Sequence, residues 1–190
     1  MSSSYDLSSV DKITVGTVGQ PGSRTFFLQA REGSLLVSLK VEKAQVAALA
    51  ERLGDLLHEN PASSPIPEPA ELDLEEPTLA DFVVGSLGLS FSGDEDRVVL
   101  VCEELVMVER DEDDLDDEFD DDDDLDDEFD HGPRGAVARF GCTRGQAAAL
   151  AMRGATLVAT GRAACPLCGY PLDPRGHVCP KTNGHRPPRL

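Results

Sequence analysis

The first half of the chain contains three short stretches in which hydrophobic and polar residues alternate, followed by one stretch with a helical period. Alternation predicts strands, and the intervening glycine and proline residues predict turns. From Glu42 to His58 hydrophobic residues recur every three or four positions, which predicts an amphipathic helix. The predicted strands are Lys12–Val18, Arg24–Ala30 and Ser34–Lys40.

The second half of the chain repeats this order of elements. Alternating residues predict two strands before an acidic stretch and one strand after it. Thr143 followed by Gln146 forms a capping box, so we expect a second helix to begin there and to continue through about Arg153. The three strands are predicted at Phe82–Phe91, Arg97–Val108 and Gly135–Gly141.

These elements define the expected fold class. Short connections between strands favour antiparallel pairing, so we predict an α+β fold with a mostly antiparallel sheet, two covering helices and a zinc-ribbon-like C-terminal tail. The two helices share similar sequence at residues 45–50 and 146–151. Two explanations of this likeness stay open: a β-β-β-α duplication, or a chance similarity between alanine-rich helices.

Changes of composition divide the chain into segments. Residues 1–10 are serine-rich and polar, which predicts a flexible N-terminus. Residues 59–77 hold five prolines, which favours an extended linker without a core of its own. We therefore predict one domain over residues 11–160, made of the halves 11–58 and 78–160, and a separate tail over residues 161–190.

An acidic segment dominates the charge of the protein. The chain has a formal net charge of -19 at pH 7, and 16 of its 36 acidic residues lie between Asp111 and Asp130. Within it Asp113–Asp120 recurs letter for letter as Asp123–Asp130. Because like charges repel and few side chains there could be buried, we predict a disordered acidic loop over residues 109–133.

The acidic segment has two interpretations. It is either a tolerated insertion between two strands, since the cost of closing a loop grows slowly with its length, or a segment that binds the basic surface of a partner protein. In each repeat a leucine and a phenylalanine stand four residues apart and would share one face of an induced helix. Neither repeat has the pattern of a calcium loop, so at most weak cation binding is expected. The predicted partner-binding residues are Leu115, Phe119, Leu125 and Phe129.

Three cysteines near the C-terminus have the spacing of a metal site. Cys165-Pro-Leu-Cys168-Gly is a zinc-knuckle pattern, and Cys179 supplies a third thiolate. The fourth ligand is His177, which would share a face with Cys179 on an extended strand, or alternatively His185, beyond an Asn-Gly turn. No glutamate stands near these residues, so we expect a structural zinc site rather than a catalytic one. Ordinary reduced cysteines in a loose tail are the remaining alternative.

Other features exclude several classes of protein. The N-terminus has no secretory signal, and no hydrophobic run is long enough to span a membrane, so we expect a cytoplasmic protein without membrane association. The acidic balance and the scarcity of aromatic residues argue against stable nucleic-acid binding. No phosphate-binding loop or nucleophile motif is present, and no catalytic residue is assigned. Cys102 and Cys142 are expected to pack as small core residues.

The stretches Ser9–Gly19 and Arg24–Ala30, together with the cysteine-rich tail, resemble an uncharacterised actinobacterial family that includes ParJ-like proteins. The resemblance implies a cytoplasmic actinobacterial protein without established enzymatic activity. It also implies a regulatory link to a ParA-type chromosome-partitioning ATPase. No catalytic residues come with it.

Two classes of function follow from the sequence. The first is a protein-binding or regulatory protein with a structural zinc tail, which fits the missing catalytic motifs and the acidic segment. The second is an enzyme or a small-ligand-binding protein with a pocket between the two halves, near Gln45 and Gln146. A cleft lined by convergent polar groups would favour the second class.

Overall fold

The computed structural model describes residues 2–20, 22–62, 64–106, 135–160, 165–168 and 179–182. Seven strands and two helices make up these residues, and two short 3-10 turns lie at Pro69–Leu72 and Pro180–Thr182. The predicted α+β class is therefore confirmed. The elements are β1 (Tyr5–Leu7), β2 (Lys12–Val18), β3 (Thr25–Glu32), β4 (Leu35–Val41), α1 (Lys43–Glu59), β5 (Phe82–Ser92), β6 (Arg97–Glu104), β7 (Val137–Cys142) and α2 (Arg144–Ala159).

The strands form one mostly antiparallel sheet in the order β1-β7-β6-β5-β4-β3-β2. The pairs β2–β3, β3–β4, β5–β6 and β6–β7 are antiparallel. β4 and β5 are parallel, and so are β1 and β7. A parallel pair needs a crossover connection, which α1 and the residues after it provide between β4 and β5.

The two halves of the sheet have the same internal register. In each half, one residue from each of three adjacent strands is paired across the sheet. The residue three positions after the last of these three immediately precedes a helix. We call β2–β4 with α1 the first unit and β5–β7 with α2 the second unit; together they form the β-β-β-α repeat that the sequence suggested. The neighbouring residues are Val15, Leu28 and Leu39 in the first unit and Leu89, Leu100 and Phe140 in the second.

The sheet curls, so that its two edges lie close together. β1 and β2 are the outermost strands, yet only residues 8–11 separate them, and such a segment spans at most about 14 Å. The amide of Val10 donates to the carbonyl of Gly141 at 3.0 Å, and the amide of Asp11 donates to the carbonyl of Arg31 at 2.8 Å. Position 141 requires glycine because a Cβ there would collide with the carbonyl oxygen of Ser8.

The prediction of a flexible N-terminus over residues 1–10 is wrong. Tyr5–Leu7 forms a strand that pairs in parallel with β7, and the side chains of Leu7 and Val10 are buried. Their transfer out of water favours an ordered segment. The polar composition of residues 1–10 gave no sign of this strand, because its pairing partner, β7, is distant in the sequence.

A single hydrophobic core joins the inner face of the sheet to both helices. Val46, Leu49 and Leu53 are the buried residues of α1. The helices pack closely at Gly154, where an added Cβ would lie 3.4 Å from a methyl group of Val46. Gly154 lies within α2, because this helix extends to Ala159 rather than ending near Arg153 as predicted. β6 ends at Glu104 rather than at Val108.

The predicted linker is instead a packed segment. We call residues 64–78 the strap, because they cross the outer face of the first unit. Leu72 is buried, and its carbonyl accepts a hydrogen bond from Oγ1 of Thr14 at 2.5 Å. Nε2 of Gln29 donates to Oγ of Ser38 and to the carbonyl of Glu75, each at 2.9 Å. These buried polar side chains need partners, and the strap supplies them.

Ion pairs also hold the strap. Glu75 accepts hydrogen bonds from the guanidinium of Arg31 and lies 3.3 Å from Nζ of Lys12. The guanidinium of Arg31 is the main reason that the pKa of Glu75 is lowered from its ordinary value of 4.5. Asp73 accepts a hydrogen bond from Arg153 of α2 at 3.0 Å. The strap therefore connects the sheet of the first unit to the helix of the second.

Candidate metal centre

The three cysteines of the predicted site lie together. The Sγ atoms of Cys165, Cys168 and Cys179 are all within 4.8 Å of one another. Cys165 and Cys179 are buried, and Cys168 is half-buried. The turn at residues 165–168 brings the first two sulfurs together, and the 3-10 turn at Pro180–Thr182 follows immediately after the third.

The sulfur geometry fits a tetrahedral metal ion. Sγ of Cys165 and Sγ of Cys179 are 3.9 Å apart. Two thiolates on one zinc ion would be about 3.8 Å apart, given Zn–S bonds of about 2.3 Å and a tetrahedral angle. A disulfide bond is only about 2.0 Å long, so this pair is too far apart to be one. The cluster can therefore hold a metal ion with three sulfur ligands.

The two histidine candidates for the fourth ligand, His177 and His185, lie outside the described residues. Within the part of the chain that the structure describes, no carboxylate or histidine belongs to the cysteine cluster. The choice between the two histidines stays a prediction.

The other two cysteines are core residues, as expected. Cys102 and Cys142 have no exposed surface, and burial raises the pKa of each thiol to about 12. A thiol with such a pKa is protonated at neutral pH, and the thiolate is the nucleophilic form. Both side chains therefore serve as small apolar groups of the core.

The predicted partner-binding residues of the acidic segment fall outside the described residues: Leu115, Phe119, Leu125 and Phe129.

The ends of the acidic segment are well defined. An added Cβ at Gly135 would lie 2.6 Å from a methyl group of Val106, so the chain departs and returns at one place. The amide of Ala136 donates to the carboxylate of Glu104 at 2.9 Å, which holds the pKa of Glu104 below its ordinary value. The acidic segment therefore connects two antiparallel neighbours, β6 and β7.

The expected pocket between the halves, near Gln45 and Gln146, is not a single cleft. Gln45 lines a groove of about 650 Å³ between α1 and β5, whereas Gln146 lines a cavity of about 250 Å³ beside Asp11. Both side-chain amides are engaged in holding the fold. Each Oε1 accepts from the amide of its helix cap residue at 2.8 Å.

The donor side of each glutamine completes the same arrangement in both units. Nε2 of Gln45 donates to the carbonyls of Val84 and Gly85, near the start of β5. Nε2 of Gln146 donates to the carbonyls of Val10 and Asp11, just before β2. Each helix is thereby fixed to the first strand of the other unit. The glutamines are structural groups and supply no convergent polar site.

The fold and the cysteine cluster characterise a small α+β protein with a candidate metal centre. The model of one family matches residues 5–179, and the chain therefore belongs to that family, which is described as a protein of unknown function (DUF3090). A search among curated proteins finds no match, and a search among solved structures finds none either. No described helix is both long and apolar enough to cross a membrane.

Proposed function

We propose that Cys165, Cys168 and Cys179 bind one structural zinc ion and that the protein acts by binding another protein. The observation that carries the metal assignment is the 3.9 Å separation of two buried sulfurs in a cluster of three. Buried thiolates without a cation would be costly. Zinc suits them because sulfur ligands and a closed tetrahedral geometry are typical of its structural sites.

His177 is our proposed fourth ligand, with His185 as the alternative. A closed site with four protein ligands has no position for a reacting water. Such a site stabilises the tail, since metal-binding energy in small domains is folding energy. The role of the metal is therefore to order residues 161–190.

Metal analysis tests the zinc proposal. We expect one zinc per chain in protein purified without chelator, and its loss in Cys168→Ser. Cys142→Ala removes a buried thiol outside the cluster and serves as the matched control, which should keep its zinc. His177→Ala should release the metal while His185→Ala should not; the reverse result would reassign the fourth ligand. Wild-type protein without stoichiometric zinc would contradict the proposal.

The proposed partner is a protein with a basic surface, and specifically a ParA-type ATPase in the cytoplasm of an actinobacterium. The resemblance to ParJ-like proteins supports this identity. The concentration of acidic residues between Asp111 and Asp130 supports the charge of the partner. Opposite charges accelerate encounter, and the leucine and phenylalanine of each repeat would supply apolar anchors.

Binding of a purified ParA-type ATPase tests the partner. Replacing Asp111–Asp130 by a short Gly-Ser loop should slow association and reduce its salt dependence. In the intact protein association should slow as the Debye length falls from about 10 Å to about 3 Å. Phe119→Ser with Phe129→Ser should speed dissociation and leave the salt dependence unchanged. Equal affinity and equal salt dependence without the acidic segment would contradict this function.

A further inference from the structure

The repeat allows the two helices to be compared position by position. Arg52 follows Gln45 by the same number of residues as Arg153 follows Gln146, and Ala48 corresponds in the same way to Ala149. The environments of the two alanines differ. Ala149 is only 2% exposed, whereas Ala48 is exposed. Something covers α2 that does not cover α1.

The strap is what covers α2. Oγ of Ser64 accepts a hydrogen bond from the amide of Gly145, in the first turn of α2, at 2.8 Å. Leu72 and Ala149 share the wall of one cavity of about 390 Å³, and Leu72 itself is buried. Position 145 must be glycine, because a Cβ would collide with the carbonyl of Pro65.

An arginine completes the contact between α2 and the strap. Nε of Arg153 donates to the carbonyl of Val15 in β2 at 2.7 Å, and its Nη2 donates to Asp73 of the strap at 3.0 Å. The strap therefore presents a leucine followed by an aspartate to a surface made from a helix, a strand and one arginine. The molecule thus contains its own example of a segment bound to this surface.

The corresponding surface between α1 and β5 is an open groove. It has a volume of about 650 Å³ and is lined by both Arg52 and Leu89, the counterparts of Arg153 and Val15. Leu49, Leu87 and Leu89 form part of its apolar wall. Within the described part of the chain, Arg52 makes no hydrogen bond or ion pair, and its side chain is exposed. The groove thus has the arginine but lacks the segment.

We propose that the α1–β5 groove binds an extended peptide of a partner protein, in which a leucine is followed by a single carboxylate that pairs with Arg52. The leucine enters the apolar wall as Leu72 packs beside α2. The carboxylate meets the guanidinium as Asp73 meets Arg153. Charge-assisted hydrogen bonds of this kind are stronger than neutral ones, so the arginine selects an acidic residue at that position.

Two segments of this chain are poorer occupants. Asp55 and Glu59 also line the groove and would repel the polyacidic repeats between Asp111 and Asp130. The residues between Cys168 and Cys179 are tied at both ends to the cysteine cluster, and no cysteine of that cluster lines the groove. An external peptide with one carboxylate avoids both difficulties. This inference concerns a surface separate from the metal centre and does not depend on zinc binding.

A synthetic peptide of residues 64–73 in which Glu68 and Glu71 are replaced by glutamine is the probe, since it carries the leucine of the strap and has the carboxylate of Asp73 as its only acidic side chain. We expect it to bind the full-length protein, and we expect Arg52→Ala to weaken binding roughly tenfold. Arg139→Ala removes an exposed arginine of β7 that does not line the groove and should leave binding unchanged. Asp55→Asn with Glu59→Gln should strengthen it, because this peptide is acidic.

A second peptide with Asp73→Asn completes the test. It should bind wild-type protein more weakly than the first peptide does. The two peptides should bind the Arg52→Ala variant equally, since Arg52 is the group that pairs with the carboxylate. The proposal is overturned if the full chain does not bind the peptide, because another segment would then fill the groove. It is also overturned if binding depends on Arg153 and not on Arg52, because the peptide would then be displacing the strap from α2 and β2.

Discussion

The two units share one arrangement of three strands and a helix, which we call the frame, but the outer faces of their strands are covered differently. In the first unit the outer face buries Thr14, Gln29 and Ser38 beneath the strap. The register places Gly88, Val101 and Arg139 at the corresponding positions of the second unit, where none is fully buried. The shared hydrophobic core and the shared helix caps stabilise the frame. The contact with the strap depends on a few polar side chains of the first unit.

This difference shows how buried polar groups specify a contact. A buried hydroxyl or amide without a partner is costly, so a segment that covers Thr14 and Gln29 must offer them acceptors, as the carbonyls of Leu72 and Glu75 do. Glycine, valine and a solvated arginine impose no such requirement on the second unit. The same arrangement of strands is therefore covered by the strap over the first unit and exposed over the second.

The largest effect is expected from breaking the strap. Leu72→Ala should lower the free energy of unfolding by about 3 kcal/mol, because Leu72 is buried and its truncation leaves a cavity. Urea denaturation measures this loss. Leu79→Ala, at a leucine that is 74% exposed, is the control and should change stability by less than about 0.5 kcal/mol. A similar loss in both variants would show that the strap does not stabilise the first unit.

A smaller effect tests whether the frames are equivalent. Gln45→Ala and Gln146→Ala should each cost about 1–2 kcal/mol, because each removes hydrogen bonds to a helix cap and to two carbonyls. Thermal or urea unfolding of the two variants gives the comparison. Costs that differ severalfold would mean that the two helices are held in different ways.

The smallest effect concerns pH and again separates the units. The pKa of Glu75 is lowered in the folded protein, mainly by Arg31, so its ion pairs stabilise the fold above the ordinary carboxyl pKa of 4.5. That contribution is lost as the pH falls below this value towards the folded pKa. Glu75→Gln should therefore reduce the loss of stability on acidification. Unchanged acid sensitivity in this variant would contradict the role of the ion pairs.

The repeated frame was accessible from the sequence because its signals are local. Strand alternation, a capping box and the recurring helix sequence all lie within a few residues of one another. The helical similarity even extends to Arg52 and Arg153, which occupy equivalent positions of the two helices. The CPxCG spacing likewise predicted the cysteines that the structure brings together.

The strap and β1 could not be predicted because their partners are distant in sequence. Leu72 lies among prolines and acidic residues, and only the contact with Thr14 shows which surface it covers. β1 has three residues, too few to show alternation, and its partner is β7. In both segments tertiary packing overrides a local composition that is typical of flexible chain.

The covering of α2 and not of α1 by the strap can be measured directly through the accessibility of two equivalent positions. Ala48→Cys and Ala149→Cys place a thiol on α1 and on α2, and intact-mass spectrometry follows its reaction with a maleimide against the parent protein. Since Ala48 is exposed and Ala149 is 2% exposed, the thiol at position 48 should react at least about tenfold faster than that at position 149. Equal rates at the two positions would contradict the covering of α2 by the strap.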